Sequence, residues 1–200
     1  MAALGLLLAL LAVVAPAAVA TPGAARAVPD AKAMVLKQSD LGAGFKAERA
    51  YYVSNARADK ENTAVSLADY KRWGRLNGYE AHYLRAARSG ILVVISRANV
   101  YKSAEGPRSA LRVSFAEAAK PQGGVLFKEV RGAGRVGSES RVYTATVMPG
   151  DEGAILIAVL WRSGNASASL FATGWTGTFD AAAVVKLARR QQRRIEAALP

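Results

Sequence analysis

From about residue 30 onward the apolar positions repeat with two different periods, and the switches between them divide the chain into helices and strands. Asp30 is placed to cap a short helix through Ala31-Lys32-Ala33-Met34-Val35-Leu36, which the glycines of Leu41-Gly42-Ala43-Gly44 should end. Glu48 to Val53 reads as a strand, and the polar stretch Ser54 to Thr63 as a loop. Gly78 to Ala86 and Ile91 to Tyr101, joined by the turn-like Arg88-Ser89-Gly90, predict a hairpin of two long strands. Ile91-Leu92-Val93-Val94-Ile95 has no polar alternation, the pattern of a strand covered on both faces. The period then becomes helical: Leu111, Phe115 and Ala118 share one side of a helix over Ala104 to Lys120. Pro107 falls in its first turn, where no N–H is required, and Pro121-Gln122-Gly123-Gly124 ends it.

Four β-rich segments follow: Val125 to Val130, Ser140 to Met148, Ala154 to Arg162 and Ser167 to Thr173. Pro149-Gly150-Asp151-Glu152-Gly153 and Ser163-Gly164-Asn165 are turn clusters between them, which predicts an antiparallel meander. Asp180 caps a last helix that runs to about Leu199. The element order implies a single α+β domain over residues 30–200, an antiparallel sheet of about five to six strands with helices mainly on one face.

The first 20 residues follow neither period. Leu4 to Val14 is an uncharged apolar run, and Ala18-Val19-Ala20 supplies the small residues of a cleavage site, as in a secretory signal peptide. The mature chain would begin at Thr21, and residues 21–29, small and interrupted by Pro and Gly, form a disordered leader. Only the Met1 amine precedes the apolar run, so the competing expectation is that Ala2 to Ala20 stays as an N-terminal membrane anchor. Pro16 and the alanine-rich end favour cleavage, and with it a secreted or extracytoplasmic location.

Composition narrows this further. The chain has 200 residues and no cysteine, which excludes disulfide staples, thiol nucleophiles and a lipid anchor on cysteine. Its formal charge is +12, and none of it comes from residues 1–20. An exported cation is drawn to an acidic envelope polymer, an anionic membrane surface or an acidic protein partner. An arginine-rich soluble surface produces the same charge without a partner, and no sequence-specific nucleic-acid motif accompanies it.

Two basic segments are candidate contact sites. At roughly 100° per residue, Lys186, Arg189, Arg190, Arg193 and Arg194 fall within one arc of the last helix, opposite Leu187, Ala188, Ile195, Ala198 and Leu199. Such an arc can bind phosphates or acidic polymer, or be a solvated face whose cations suit the helix C-terminus. The second segment, from Tyr70 to Tyr79, interleaves Tyr70, Trp73 and Tyr79 with Arg72 and Arg75, a mixture that can stack on rings and pair with anions. Its structural alternative places the aromatics against the sheet with the arginines reaching water.

The parts an enzyme requires are sparse. His82 is the only histidine, so multi-histidine metal sites are excluded, and no G-x-S-x-G elbow accompanies it. In the strand-like Glu80-Ala81-His82-Tyr83-Leu84 it reads as a half-buried sheet residue. Asp151-Glu152, a close pair of carboxylates, lies in a predicted turn where solvation is the default. Convergent carboxylates elsewhere leave a metal-free secreted hydrolase as the alternative function. Gly132-Ala133-Gly134-Arg135-Val136-Gly137 matches G-x-G-x-x-G but leads into β-rich sequence rather than a helix, so no nucleotide is predicted. Asn165-Ala166-Ser167 matches a glycosylation acceptor by coincidence of composition. No cofactor and no metal are expected.

Several segments together resemble exported domains of actinobacteria, both sensor-like and lipoprotein-like, of uncharacterised function. They are LKQSDLGAGF at Leu36 to Phe45, GRLNGYEAHYLR at Gly74 to Arg85, VGSESRVY at Val136 to Tyr143 and LARRQQRRIEAAL at Leu187 to Leu199. The resemblance implies an extracytoplasmic α+β domain without established catalysis. Ser138 stands where the related turn often carries Asp, so no role for that Asp transfers. The function expected is therefore a non-enzymatic binding or sensory accessory domain at the cell envelope.

Overall fold

A computed structural model describes residues 28–61, 64–121, 125–148 and 153–199. The predicted signal peptide, nearly all of the leader and the Asp151-Glu152 pair lie outside the described residues.

The elements follow the order α1 (Ala31–Met34), a 3-10 turn (Gln38–Asp40), β1 (Lys46–Tyr52), α2 (Asn55–Glu61), α3 (Leu67–Arg72), β2 (Arg75–Leu84), β3 (Ile91–Tyr101), α4 (Glu105–Ala118), β4 (Lys128–Glu129), β5 (Glu139–Met148), β6 (Ala154–Ser163), β7 (Ala166–Trp175) and α5 (Ala181–Ala198). The strands form one antiparallel sheet in the order β1-β2-β3-β7-β6-β5-β4. The α+β class holds, with seven strands rather than five to six. Its centre joins the two halves, since β3 pairs with β7 across some 70 residues of sequence (Val94 with Ala172, Ala98 with Ala168). Both edges resist further pairing: β1 is polar and almost wholly exposed, and β4 has only two residues.

Helix ends follow the local signals. Asp30 Oδ1 accepts the Lys32 amide at 2.9 Å, and Asp180 Oδ1 accepts the Ala183 amide at 2.9 Å. Ser66 and Asp69 cap α3 reciprocally, each side chain accepting the other's backbone N–H. Three local expectations need correction. The first helix stops at Met34 instead of Leu36, because Val35 is extended. The stretch read as a loop from Ser54 contains α2, whose short polar sequence buries only Ala58. The strand expected over Val125 to Val130 contracts to Lys128–Glu129.

The helices cover both faces of the sheet, not mainly one. On the first face α1 and α5 bury Met34, Val184, Val185, Ala188 and Ile195 against Val94, Ala98, Val159, Trp161 and Leu170. On the second, α4 packs Leu111, Phe115 and Ala118 onto Tyr143 and Ala158, while α2 and α3 close over Val53, Val65 and Tyr70. A wide sheet whose central strands are apolar at successive positions has two apolar faces to bury, which one long helix cannot do. This also accounts for the unbroken apolar runs of β3 and β6.

The contact face of α5 contains two glutamines. Gln191 accepts a hydrogen bond from Ser96 Oγ at 2.8 Å and donates to the Arg97 carbonyl at 2.8 Å. Gln192 accepts from Trp161 Nε1 at 2.9 Å and donates to Ser163 Oγ at 2.8 Å. Each polar group is therefore matched at the centre of an otherwise apolar interface.

A polar cleft on the second face of the sheet

The second face is apolar under α4 but polar along β2, β3 and β7. Cross-strand pairing puts Tyr51, Glu80, Arg97, Ser169 and Leu160 in one row, and Gly78, Asn99 and Ser167 in the next. Because Ser167 and Ser169 are small, β7 leaves room beneath the helices. Between this floor and α2, α3 and α4 lies a cleft of about 670 Å³, walled by Trp73, Leu111, Val113 and Phe127. Beside it α4 approaches closely at Gly106. An added methyl group there would overlap the Trp73 carbonyl and stand 2.6 Å from the Tyr101 ring.

Two charged systems are built into the floor. Glu80 is buried, 2 % exposed, and both of its oxygens are engaged. Oε1 accepts from Tyr51 Oη at 2.9 Å and meets His82 Nε2, while Oε2 pairs with Arg97 Nε. Burial pushes the Glu80 carboxyl up, but the Arg97 charge and the hydrogen bonds from His82, Arg97 and Tyr51 outweigh it and hold the group below its ordinary range. Glu80 is thus kept ionised, which suits a structural anion and not a general acid. The cleft's other carboxylates are also engaged, Glu61 by Arg57 and Glu117 by Lys120. His82 itself is buried, not half-buried, and stacks at 6.2 Å on Tyr51.

Arg75 forms the second system. It is 4 % exposed, and its guanidinium donates to Asn99 Oδ1 at 2.7 and 3.0 Å, Asn55 Oδ1 at 2.7 Å and the Val53 carbonyl at 3.0 Å. The Tyr70 ring lies 5.3 Å away. Every acceptor is neutral, so burial lowers the pKa of this arginine with no carboxylate beside it to restore it.

The aromatic and basic segment is divided by the fold. Tyr70, Trp73 and Arg75 line the cleft, and Tyr70 meets Trp73 edge to face at 6.2 Å. Arg72 points to solvent and pairs with Asp69. Tyr79 lies in the core of the opposite face, edge to face with Tyr52 at 4.9 Å. The five residues therefore do not make a single platform. Glu80, Arg97, Asn99, Ser167 and Ser169 carry no local motif, and only strand register brings them together.

The cations of α5 are divided as well. Arg194 holds Asp40 with Nε at 2.6 Å and Nη2 at 3.0 Å, and Arg190 donates to the Asp40 carbonyl. These two pin the 3-10 turn to α5, while Lys186, Arg189 and Arg193 remain exposed. An open depression of about 530 Å³ beside them is lined by Asp40, Arg190, Arg193 and Arg194. The Gly132 to Gly137 segment enters β5 with positive φ at its three glycines and opens no helix. Among the described residues no helix is long and apolar enough to cross a membrane.

No family model and no curated protein matches the chain. Among solved structures the extracellular domain of PknH from Mycobacterium tuberculosis is similar, with a TM-score of 0.56 and 12 % identity over 82 % of this chain and 98 % of that one. At that identity the likeness is one of fold.

Proposed function

We propose that this chain is an extracytoplasmic sensory or binding domain whose ligand enters the cleft between the second face of the sheet and α2, α3 and α4. The observation that carries the reading is the cleft floor, where a layered core would place large apolar residues. It holds two serines, an asparagine, an arginine without a counter-ion and a Glu80–Arg97 ion pair. Buried polar groups are unfavourable unless matched, and a fold that keeps Arg75, Asn99 and Glu80 paired beside open space preserves a recognition surface. The fold likeness to an extracellular domain and the signal-like N-terminus support a location outside the cytoplasm. The ionised, fully engaged Glu80 favours binding over the hydrolase alternative.

A second contact belongs to this reading: the exposed stripe of Lys186, Arg189 and Arg193 turns toward an acidic envelope component, either polymer, membrane surface or protein. The cleft is tested by native mass spectrometry of protein recovered from its producing cells. A bound small molecule should be present in the wild type and absent from Ser169→Trp, which fills the floor with an indole. Equal occupancy in the two would remove the cleft from the function.

A further inference from the structure

The charges beneath the helices do not balance. Arg75 and Arg97 are two cations, and Glu80, paired with Arg97, is the one carboxylate of the floor, so the floor retains one excess positive charge. The rim does not compensate, because Glu61 and Glu117 are taken by Arg57 and Lys120. An uncompensated cation held in a low-dielectric site is unfavourable, and an arriving anion relieves that penalty. Arg97 offers the place to bind it. Only Nε faces Glu80, the side chain is 43 % exposed, and the outer nitrogens have no hydrogen-bond partner among the described residues. A guanidinium edge of this kind matches carboxylate and phosphate oxygens.

Beside Arg97 the surface changes character. Phe171 lies under its guanidinium, 5.7 Å from the ring centroid, and Leu111, Phe127 and Leu160 continue the apolar wall. At the far side the Tyr143 hydroxyl is buried near Arg141 without a well-formed hydrogen bond. We propose that the cleft selects an amphipathic anion, its carboxylate or phosphate at Arg97 in the field of Arg75, its apolar body along Phe171, Leu111 and Phe127. This rests on the cleft being the ligand site.

The test is calorimetric titration of the purified protein with decanoate, decyl phosphate, decyl maltoside, decyltrimethylammonium and inorganic phosphate, each below micelle-forming concentration. Decanoate and decyl phosphate should bind at least about tenfold tighter than the maltoside, and decyltrimethylammonium should not bind. Arg97→Gln should erase that preference while leaving maltoside binding unchanged, and Arg97→Lys should restore part of it. Arg97→Gln takes a partner from buried Glu80 and should lower the melting temperature, so circular dichroism at the titration temperature verifies the fold, and Arg97→Lys keeps a charge beside Glu80. Equal affinity for decanoate and maltoside would overturn the anionic selectivity while leaving the cleft as the ligand site. Inorganic phosphate bound as tightly as decyl phosphate would overturn the apolar half of the proposal. Anion binding that survives Ser169→Trp would place the site elsewhere and overturn the cleft reading with it. Absence of binding by both anionic probes overturns the proposal even where Ser169→Trp still removes a molecule acquired from cells.

Discussion

Gly78 on β2 lies directly beneath Arg75 of the same strand: a methyl group added to Gly78 would overlap the Arg75 guanidinium and stand 2.5 Å from its partner Asn99 Oδ1. The glycine is ordinary in backbone conformation, so its role is space and not torsion. Gly78→Ala should displace Arg75 from Asn99 and Asn55 and leave a buried cation with fewer partners. A loss of about 1–3 kcal/mol in unfolding free energy is expected. Urea denaturation reads this directly, and an unchanged midpoint would show that Arg75 is not held by the geometry described.

The contrast between Arg75 and Arg97 explains what a single sequence reveals about such a site. Arg75 was visible because it sits among Tyr70, Trp73 and Tyr79, a local concentration of aromatic and basic residues. Arg97, Glu80 and Ser169 each look like ordinary strand positions, and they meet only through the registers of β2, β3 and β7. The strands were legible for the opposite reason, since periodicity and turn residues act over a few positions. The second helical layer was not. α4 reads as amphipathic whichever side it covers, and α2 buries too little to show a period. On α5 the wheel located the cations but assigned nothing to Gln191 and Gln192. Their matched partners lie on β3 and β6, almost 100 and about 30 residues away.

Those glutamines give a second measurable outcome. Gln191→Met keeps the volume but removes the acceptor of buried Ser96 Oγ and the donor to the part-buried Arg97 carbonyl. It should destabilise by about 1–3 kcal/mol. Ser96→Ala should also be costly, because Ser96 Oγ accepts the Leu36 amide at 3.0 Å. The double variant should lose less than the sum of the two single losses, since the second change removes a group the first has already left unmatched. Strict additivity in denaturation would mean that the two side chains act independently.

Acid should weaken the fold through Asp40 and Glu80. Burial pushes the Asp40 carboxyl up, but hydrogen bonds from Arg194 and the Lys37 amide and the charges of Arg194 and Arg190 hold it below its ordinary 3.8. Glu80 likewise lies below 4.5. A carboxyl depressed in the folded state contributes stability above its unfolded value and loses it as pH falls through the folded one. Stability should therefore decline from roughly pH 4 downward. Asp40→Asn should be less stable than wild type at neutral pH and converge toward it in acid. Urea midpoints across that range check this, and a constant difference between the two proteins would exclude Asp40 from the titration.

The exposed cations of α5 allow charge to be separated from fold. Lys186, Arg189 and Arg193 face solvent, whereas Arg190 and Arg194 grip Asp40. Replacing the first three by Glu removes two charges at each, taking the formal net charge from +12 to +6. Because those side chains are exposed, each substitution should change stability by no more than about 0.5 kcal/mol. Arg194→Glu should instead unpin the 3-10 turn and lower the melting temperature, because it sets two carboxylates against each other at Asp40. On phosphatidylglycerol vesicles at low salt the wild type should be retained and the triple variant released. High salt should release the wild type as well, by screening exposed charge. Retention of the triple variant equal to wild type would show that the stripe is only a solvated face, and that vesicle binding rests on charge elsewhere on the surface.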